Sequence, residues 1–143
     1  MAFMSRIQLH FPEKIAFTTQ VNITISDINY GGHLGNDRFL TLMQEARLQW
    51  LKSLGYKDEK VIEPPVGIIV ADAAIQFKAE AFHGDAIRIE LSIAEVGGSS
   101  FDLYYRLSNQ QGVEVALGKT GVVCFNYETR KVARISERLM AAF

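Results

Sequence analysis

The chain has 143 residues, of which 48% are hydrophobic and 22% charged, and its formal net charge is −1. That composition is the composition of an ordinary soluble globular protein, long enough to bury a core, and it reads most economically as one domain over 1–143. The near-zero charge gives no overall field for nucleic acid or an anionic membrane, and no apolar run nears the ~20 residues that span a bilayer.

The amino terminus, Met1-Ala2-Phe3-Met4-Ser5-Arg6, carries no apolar leader core, so a cytoplasmic location is expected. Ile15, Phe17, Thr19, Val21, Ile23 and Ile25 occupy alternate positions, which predicts a strand over 15–25. Next comes Asp27-Ile28-Asn29-Tyr30-Gly31-Gly32-His33-Leu34-Gly35-Asn36, with three glycines, a histidine, two asparagines and an acid. It reads as the turn into a helix over 37–54, where Phe39, Leu40, Met43, Ala46, Trp50, Leu51 and Leu54 form one apolar stripe. Asn36 is placed as the N-cap, Asp37 in the first turn, and Gly55 just past the end. Arg47 falls inside the stripe and needs a carboxylate or carbonyl partner, whereas Glu45 projects from another side.

Residues 57–65 read as a loop, stopped by Pro64-Pro65. Four strand-like runs follow: 66–79, 85–95, 99–108 and 113–127, with turns at Gly97-Gly98 and Asn109–Gly112. The first of these is apolar on both faces in its first half, which predicts a central strand covered on both sides. Residues 135–142 read as a short terminal helix. Cys124, the single cysteine, lies in an apolar run and reads as a buried structural thiol. Strand, long helix, then four strands is an α+β order in which one twisted antiparallel sheet wraps a central helix. One helix cannot cover every apolar sheet position, so a second copy is the natural partner for exposed edges.

The turn Asn29–Asn36 feeds Phe39-Leu40-Thr41-Leu42-Met43-Gln44-Glu45-Ala46-Arg47, and Phe82-His83-Gly84-Asp85 opens the third strand. Together these resemble the hotdog-fold thioesterases, in the 4-hydroxybenzoyl-CoA thioesterase-like branch that includes small bacterial acyl-CoA thioesterases. The resemblance covers nearly the whole chain. It implies a hotdog fold, with a five-stranded antiparallel sheet around the long helix. It also implies a homodimer, often paired again into a tetramer, and active sites at the subunit interface for an acyl thioester of CoA or acyl carrier protein. In one respect the chain departs from the family pattern, which has a catalytic carboxylate at the position of Asn29. An amide is neither nucleophile nor base near neutral pH, though it can orient water or donate to a carbonyl.

Thioester hydrolysis needs a polarised carbonyl, an activated water and a held substrate. Backbone N–H groups around Gly31, Gly32 and Gly35 suit the first role, and the alternative is that these glycines only permit a tight connection. His33 reads either as donor or base, or as a structural histidine bonding across the turn. Asp27 reads as a displaced general base if the chain stays extended there, or else as a turn cap. Asn36 has a water- or substrate-binding role as its second reading. Glu45 stands ~13 Å further along the helix by rise, and is retained because another hotdog branch uses a helix glutamate. Tyr30 and Gly31 are substrate-binding candidates, and Lys78 and Arg88, with His83, are candidates for CoA phosphates. His10, His33 and His83 lack metal-ligand spacing, and no phosphate loop or dinucleotide fingerprint occurs, so neither metal nor cofactor is expected. The leading expectation is an acyl-CoA thioesterase. A non-hydrolytic acyl-thioester binding protein comes second, and a dehydratase or isomerase on an acyl thioester third.

Overall fold

The computed structural model describes residues 6–60 and 62–143. Residues 1–5, read above for a leader, and position 61 in the 57–65 loop lie outside the described residues. The elements are β1 (Phe17–Asn22), α1 (Asn36–Ser53), β2 (Val66–Phe77), β3 (Ala86–Ala94), β4 (Ser100–Ser108), β5 (Glu114–Asn126), the two-residue β6 (Lys131–Val132) and the one-turn α2 (Glu137–Met140). The strands pair antiparallel in the order β1-β3-β4-β5-β2, with β6 added at the end of β5. The expected α+β order is therefore present, with a sixth short strand.

Helix α1 lies on the sheet and buries Phe39, Leu42, Met43, Ala46, Arg47, Trp50 and Leu51. Facing it are Ile87, Ile89, Leu91, Leu103, Tyr105, Leu107 and Val122, all fully buried. Each fully buried large apolar side chain contributes about 1.5–3 kcal/mol, so this interface is the main source of stability. Gly118 on β5 has no side chain because the end of Met43 occupies that space. Leu40, placed in the stripe by spacing, is 43% exposed, and Leu42 is buried instead.

The helix stops as its sequence suggests. Gly55 adopts φ +94°, its N–H reaches the Lys52 carbonyl, and the Tyr56 N–H reaches that of Leu51. That pair of bonds is a Schellman ending, and the positive φ is why glycine stands there. The start differs by one residue: Gly35, in an extended conformation, is the N-cap, and Asn36 is the first helical residue. The Gly35 carbonyl takes the Arg38 N–H, and a Cβ at Gly35 would lie 2.8 Å from the Asp37 carboxylate.

Three further expectations are corrected. The first strand is shorter than 15–25, because Ile25–Asp27 forms a single 3-10 turn. Asp27 Oδ2 there accepts from the Thr24 N–H at 2.9 Å and from Thr24 Oγ1 at 3.1 Å, local bonds that compete with the sheet ladder. Strand β2 is an edge, not central. Only Gly67 and Ile68 at its start are buried, because Glu59 and Lys60 lie against them, with the Ile68 N–H on the Glu59 carbonyl at 2.7 Å, while Val70 to Ala73 are exposed. The terminal helix spans Glu137–Met140 alone, capped by Ser136 Oγ on the Leu139 N–H.

The outer sheet face carries a segment that spacing does not reveal. Residues 9–14 cross it, with the Leu9 N–H on Gln76 Oε1 at 3.0 Å, Phe11 against the Arg106 guanidinium, and the Lys14 carbonyl accepting from Ser92 Oγ.

Candidate active site

Asn29 to His33 form a narrow hairpin of three loop residues. The Asn29 N–H donates to the His33 carbonyl at 3.0 Å, the Gly32 N–H to the Asn29 carbonyl at 3.1 Å, and Ile28 pairs with Leu34. Gly32 closes the loop at φ +83°, a left-handed conformation that such loops require of one residue. The hairpin is moored on both sides: the Leu34 N–H reaches the Ala81 carbonyl at 2.8 Å, and the Gly35 N–H reaches that of Asp27 at 3.1 Å. The 82–85 turn is in turn tied to the end of β1, through Gly84 N–H on the Ile23 carbonyl and Ile23 N–H on that of Asp85. Asp85 also caps the Phe82 N–H and receives Gln110. The turn and the His83-Gly84-Asp85 segment, far apart in sequence, are thus neighbours at one end of the sheet.

These bonds decide which groups remain for chemistry. The Gly31 N–H is held by Asn29 Oδ1 at 2.9 Å, and those of Gly32, Leu34 and Gly35 are also engaged. The glycines therefore shape the loop rather than present free donors. From Asp27 to Asp37, the backbone N–H groups without a partner among the described residues are those of Tyr30, His33, Asn36 and Asp37, the last two in the first turn of α1. A helix start gathers positive potential at such groups.

The side chains divide in the same way. Asp27 turns back on Thr24, and the 3-10 turn removes the extended geometry that would set it beside Asn29. His33 is half-buried, and its Nδ1 lies 3.2 Å from the Leu34 carbonyl. A Cβ on Gly31 would sit 3.2 Å from Asn29 Oδ1 and 3.3 Å from His33 Nε2, so the two side chains flank one spot over Gly31. Tyr30 is fully exposed at the tip, and the Asn36 side chain is exposed with no bond among the described residues.

Other expected residues lie apart. Glu45 accepts from Gln49 Nε2 at 2.7 Å, and Gln49 receives Thr19 of β1, so this acid belongs to the helix–β1 seam. Lys78 is paired with Glu114 at 2.7 Å. Arg88 is largely exposed, 3.9 Å from Glu90. Lys78 follows β2 and Arg88 sits on β3, three strand spacings or ~14 Å apart across the sheet, so one chain does not bring them together. No three His, Cys, Asp or Glu side chains converge as a metal would need among the described residues. No helix among the described residues is long and apolar enough to cross a membrane.

Arg47 has the partner its position demanded, and more. It donates to Glu59 at 3.1 Å and to the Tyr105 hydroxyl at 3.0 Å, and that hydroxyl meets Thr120 Oγ1 at 2.7 Å. Burial opposes its charge, but Tyr105 and Glu59 more than offset this and raise its pKa above the ordinary arginine value. Glu59 was not legible, since a loop acid twelve residues downstream has no periodicity to mark it. A cleft of about 260 Å³, lined by Lys14, Ile15, Ile93, Val96 and Phe143, lies elsewhere. Phe143 packs on Trp50 toward the far end of α1, so this cleft is remote from the turn.

A family model described as the thioesterase-like superfamily matches residues 23–143. The chain belongs to that superfamily. This member is 23% identical over 128 residues to the acyl-CoA thioesterase YbgC of Haemophilus influenzae, covering 89% of this chain and 93% of that one. Its fold superposes on a 1,4-dihydroxy-2-naphthoyl-CoA thioesterase from Synechocystis with a TM-score of 0.81 and 25% identity, over 88% of this chain and 93% of the other. A gentisyl-coenzyme A thioesterase gives a TM-score of 0.80 and 26% identity, over 89% and 99%. The thioesterase-like member thus has the hotdog architecture of these relatives, a long helix against an antiparallel sheet.

Proposed function

We propose that this protein is an acyl-CoA thioesterase that hydrolyses an acyl thioester to free acid and the CoA thiol, with the turn Asp27–Asn36 as its active centre. One observation carries the placement: the open Nδ2 of Asn29, the open Nε2 of His33 and the unpartnered N–H groups of His33, Asn36 and Asp37 all belong to one moored turn at the start of α1. Such a turn supplies what a developing oxyanion and an attacking water require. CoA as the carrier is supported by relatives that are named as acting on CoA thioesters.

The active unit in this reading is a homodimer, with two dimers pairing again. Support comes from the unpaired edge of β2, with Val70 exposed, and from Leu40 exposed on α1. In this reading a second chain supplies walls of the acyl pocket beside the turn. Tyr30 at the tip and Arg88 on the outer face remain as contacts for substrate or its phosphates, whereas Lys78 must first release Glu114. Cytoplasmic placement belongs to the same reading, and the unpaired thiol of Cys124 suits a reducing compartment.

The test is thiol release from a panel of short, long and aromatic acyl-CoAs, followed with a thiol-trapping dye, alongside light scattering for mass. Turnover of at least one class by an oligomer is expected. Acyl-CoA binding without thiol release would instead identify a binding protein, and an active, stable monomer would remove the shared pocket.

A further inference from the structure

We infer that Asn29 and His33 divide the chemistry of this turn, with Asn29 donating to the thioester oxygen and His33 acting as the base toward water. The inference rests on the thioesterase reading and assigns the roles within it. Asn29 Oδ1 accepts the Gly31 N–H at 2.9 Å, which fixes the amide: the oxygen must face that donor, because the NH2 group cannot accept. Asn29 Nδ2 is then left with two protons and no acceptor among the described residues. It is not a buried orphan either, since Tyr56 Oη is the buried side-chain polar atom without a partner among the described residues. The Asn29 NH2 group is therefore open to a ligand, and it offers hydrogen-bond donation.

His33 is fixed by a similar argument. Its Nδ1 lies 3.2 Å from the Leu34 carbonyl, which can only accept, so Nδ1 carries the proton. Nε2 keeps its lone pair, has no partner among the described residues, and lies against Gly31 on the same spot as the Asn29 side chain. A donor and a base thus stand side by side. In the step this assigns, water oxygen bonds to the acyl carbon while its proton passes to His33 Nε2. The carbonyl electron pair moves onto the oxygen, where Asn29 Nδ2 holds it. When that pair returns, the carbon–sulfur bond breaks and the sulfur leaves with the bonding electrons. It takes the proton from Nε2, giving acid and thiol. No bond forms to the protein.

The experiment uses the full-length protein and acyl-CoA substrates that the wild type turns over. Asn29→Ala and Asn29→Asp should both lower kcat by about a hundredfold, since a carboxylate cannot donate to an oxyanion. His33→Ala should lose about a hundredfold or more, with part of the rate restored in proportion to added imidazole. A single turnover of wild-type enzyme in excess, run in 18O-labelled water, should place the label in the first acid released and leave no acyl adduct on the protein. An Asn29→Asp variant faster than wild type, full activity in His33→Ala, or unlabelled acid in the first turnover would each overturn the assignment while leaving the hydrolase reading intact. The wild-type turnover measurement does not depend on any variant folding. Failure of the wild type to release thiol from any substrate would remove both readings together.

Discussion

Arg47 Nη1 donates to the Tyr105 hydroxyl at 3.0 Å, joining the middle of α1 to the central strand β4 inside the core. The same guanidinium holds Glu59, so the bond ties together helix, sheet and the 57–65 loop. Tyr105→Phe removes the hydroxyl partner of Arg47 Nη1 and of Thr120 Oγ1, while Arg47 keeps Glu59, and is expected to cost about 1–3 kcal/mol. Arg47→Ala is expected to cost about 3 kcal/mol, the low end for a broken buried pair, because the Glu59 side chain is 20% exposed and water can reach it. Urea unfolding of both variants checks the order, with Arg47→Ala the less stable.

A contrast between two glycines tests the packing. A Cβ on Gly67 would lie 2.5 Å from the Lys60 carbonyl and 2.6 Å from that of Glu59, both backbone atoms that cannot step aside. On Gly118 it would meet the flexible end of Met43. Gly67→Ala should therefore cost about 1–3 kcal/mol, and Gly118→Ala less, as read from thermal or urea unfolding.

Acid sensitivity has a traceable component on the outer face. The bidentate hydrogen bond from Arg106 holds the Glu90 carboxyl below its ordinary value, against the opposing effect of burial. A depressed folded-state value means the pair stabilises the fold above the ordinary carboxylate value and loses that contribution as pH falls through the folded value. Glu90→Gln should flatten that part of the stability curve. If wild type and variant lose stability in parallel below pH ~4, the pair is not its source.

Cys124 is buried, and burial alone pushes its thiol up to about 11. Iodoacetamide near neutral pH should leave it unmodified in the folded protein and label it promptly in denaturant, as read by mass spectrometry. Rapid labelling of the folded protein would contradict the burial.

What the sequence made legible was whatever has a period. The strand alternation of Ile87 to Ile93 and the helical stripe from Phe39 to Leu51 marked the two faces of the core. Gly55 marked the helix end through its positive φ. Non-local coverage left no such trace: the apolar start of β2 looked like a central strand, but it is an edge whose Gly67 and Ile68 are covered by Glu59 and Lys60. In the site, the residues Asn29 and His33 could be named from sequence, but their geometry could not. Which N–H groups remain open depends on bonds such as Leu34 to Ala81, across 47 positions, and on a 3-10 turn that draws Asp27 away.

The most direct test of the central claim is mass-spectrometric analysis of the products from a single acyl-CoA incubated with wild-type protein. Free acid and CoA thiol should accumulate in equal amounts as the substrate disappears. An intact thioester, whether unchanged or with its acyl group dehydrated or isomerised, would contradict hydrolysis at this turn.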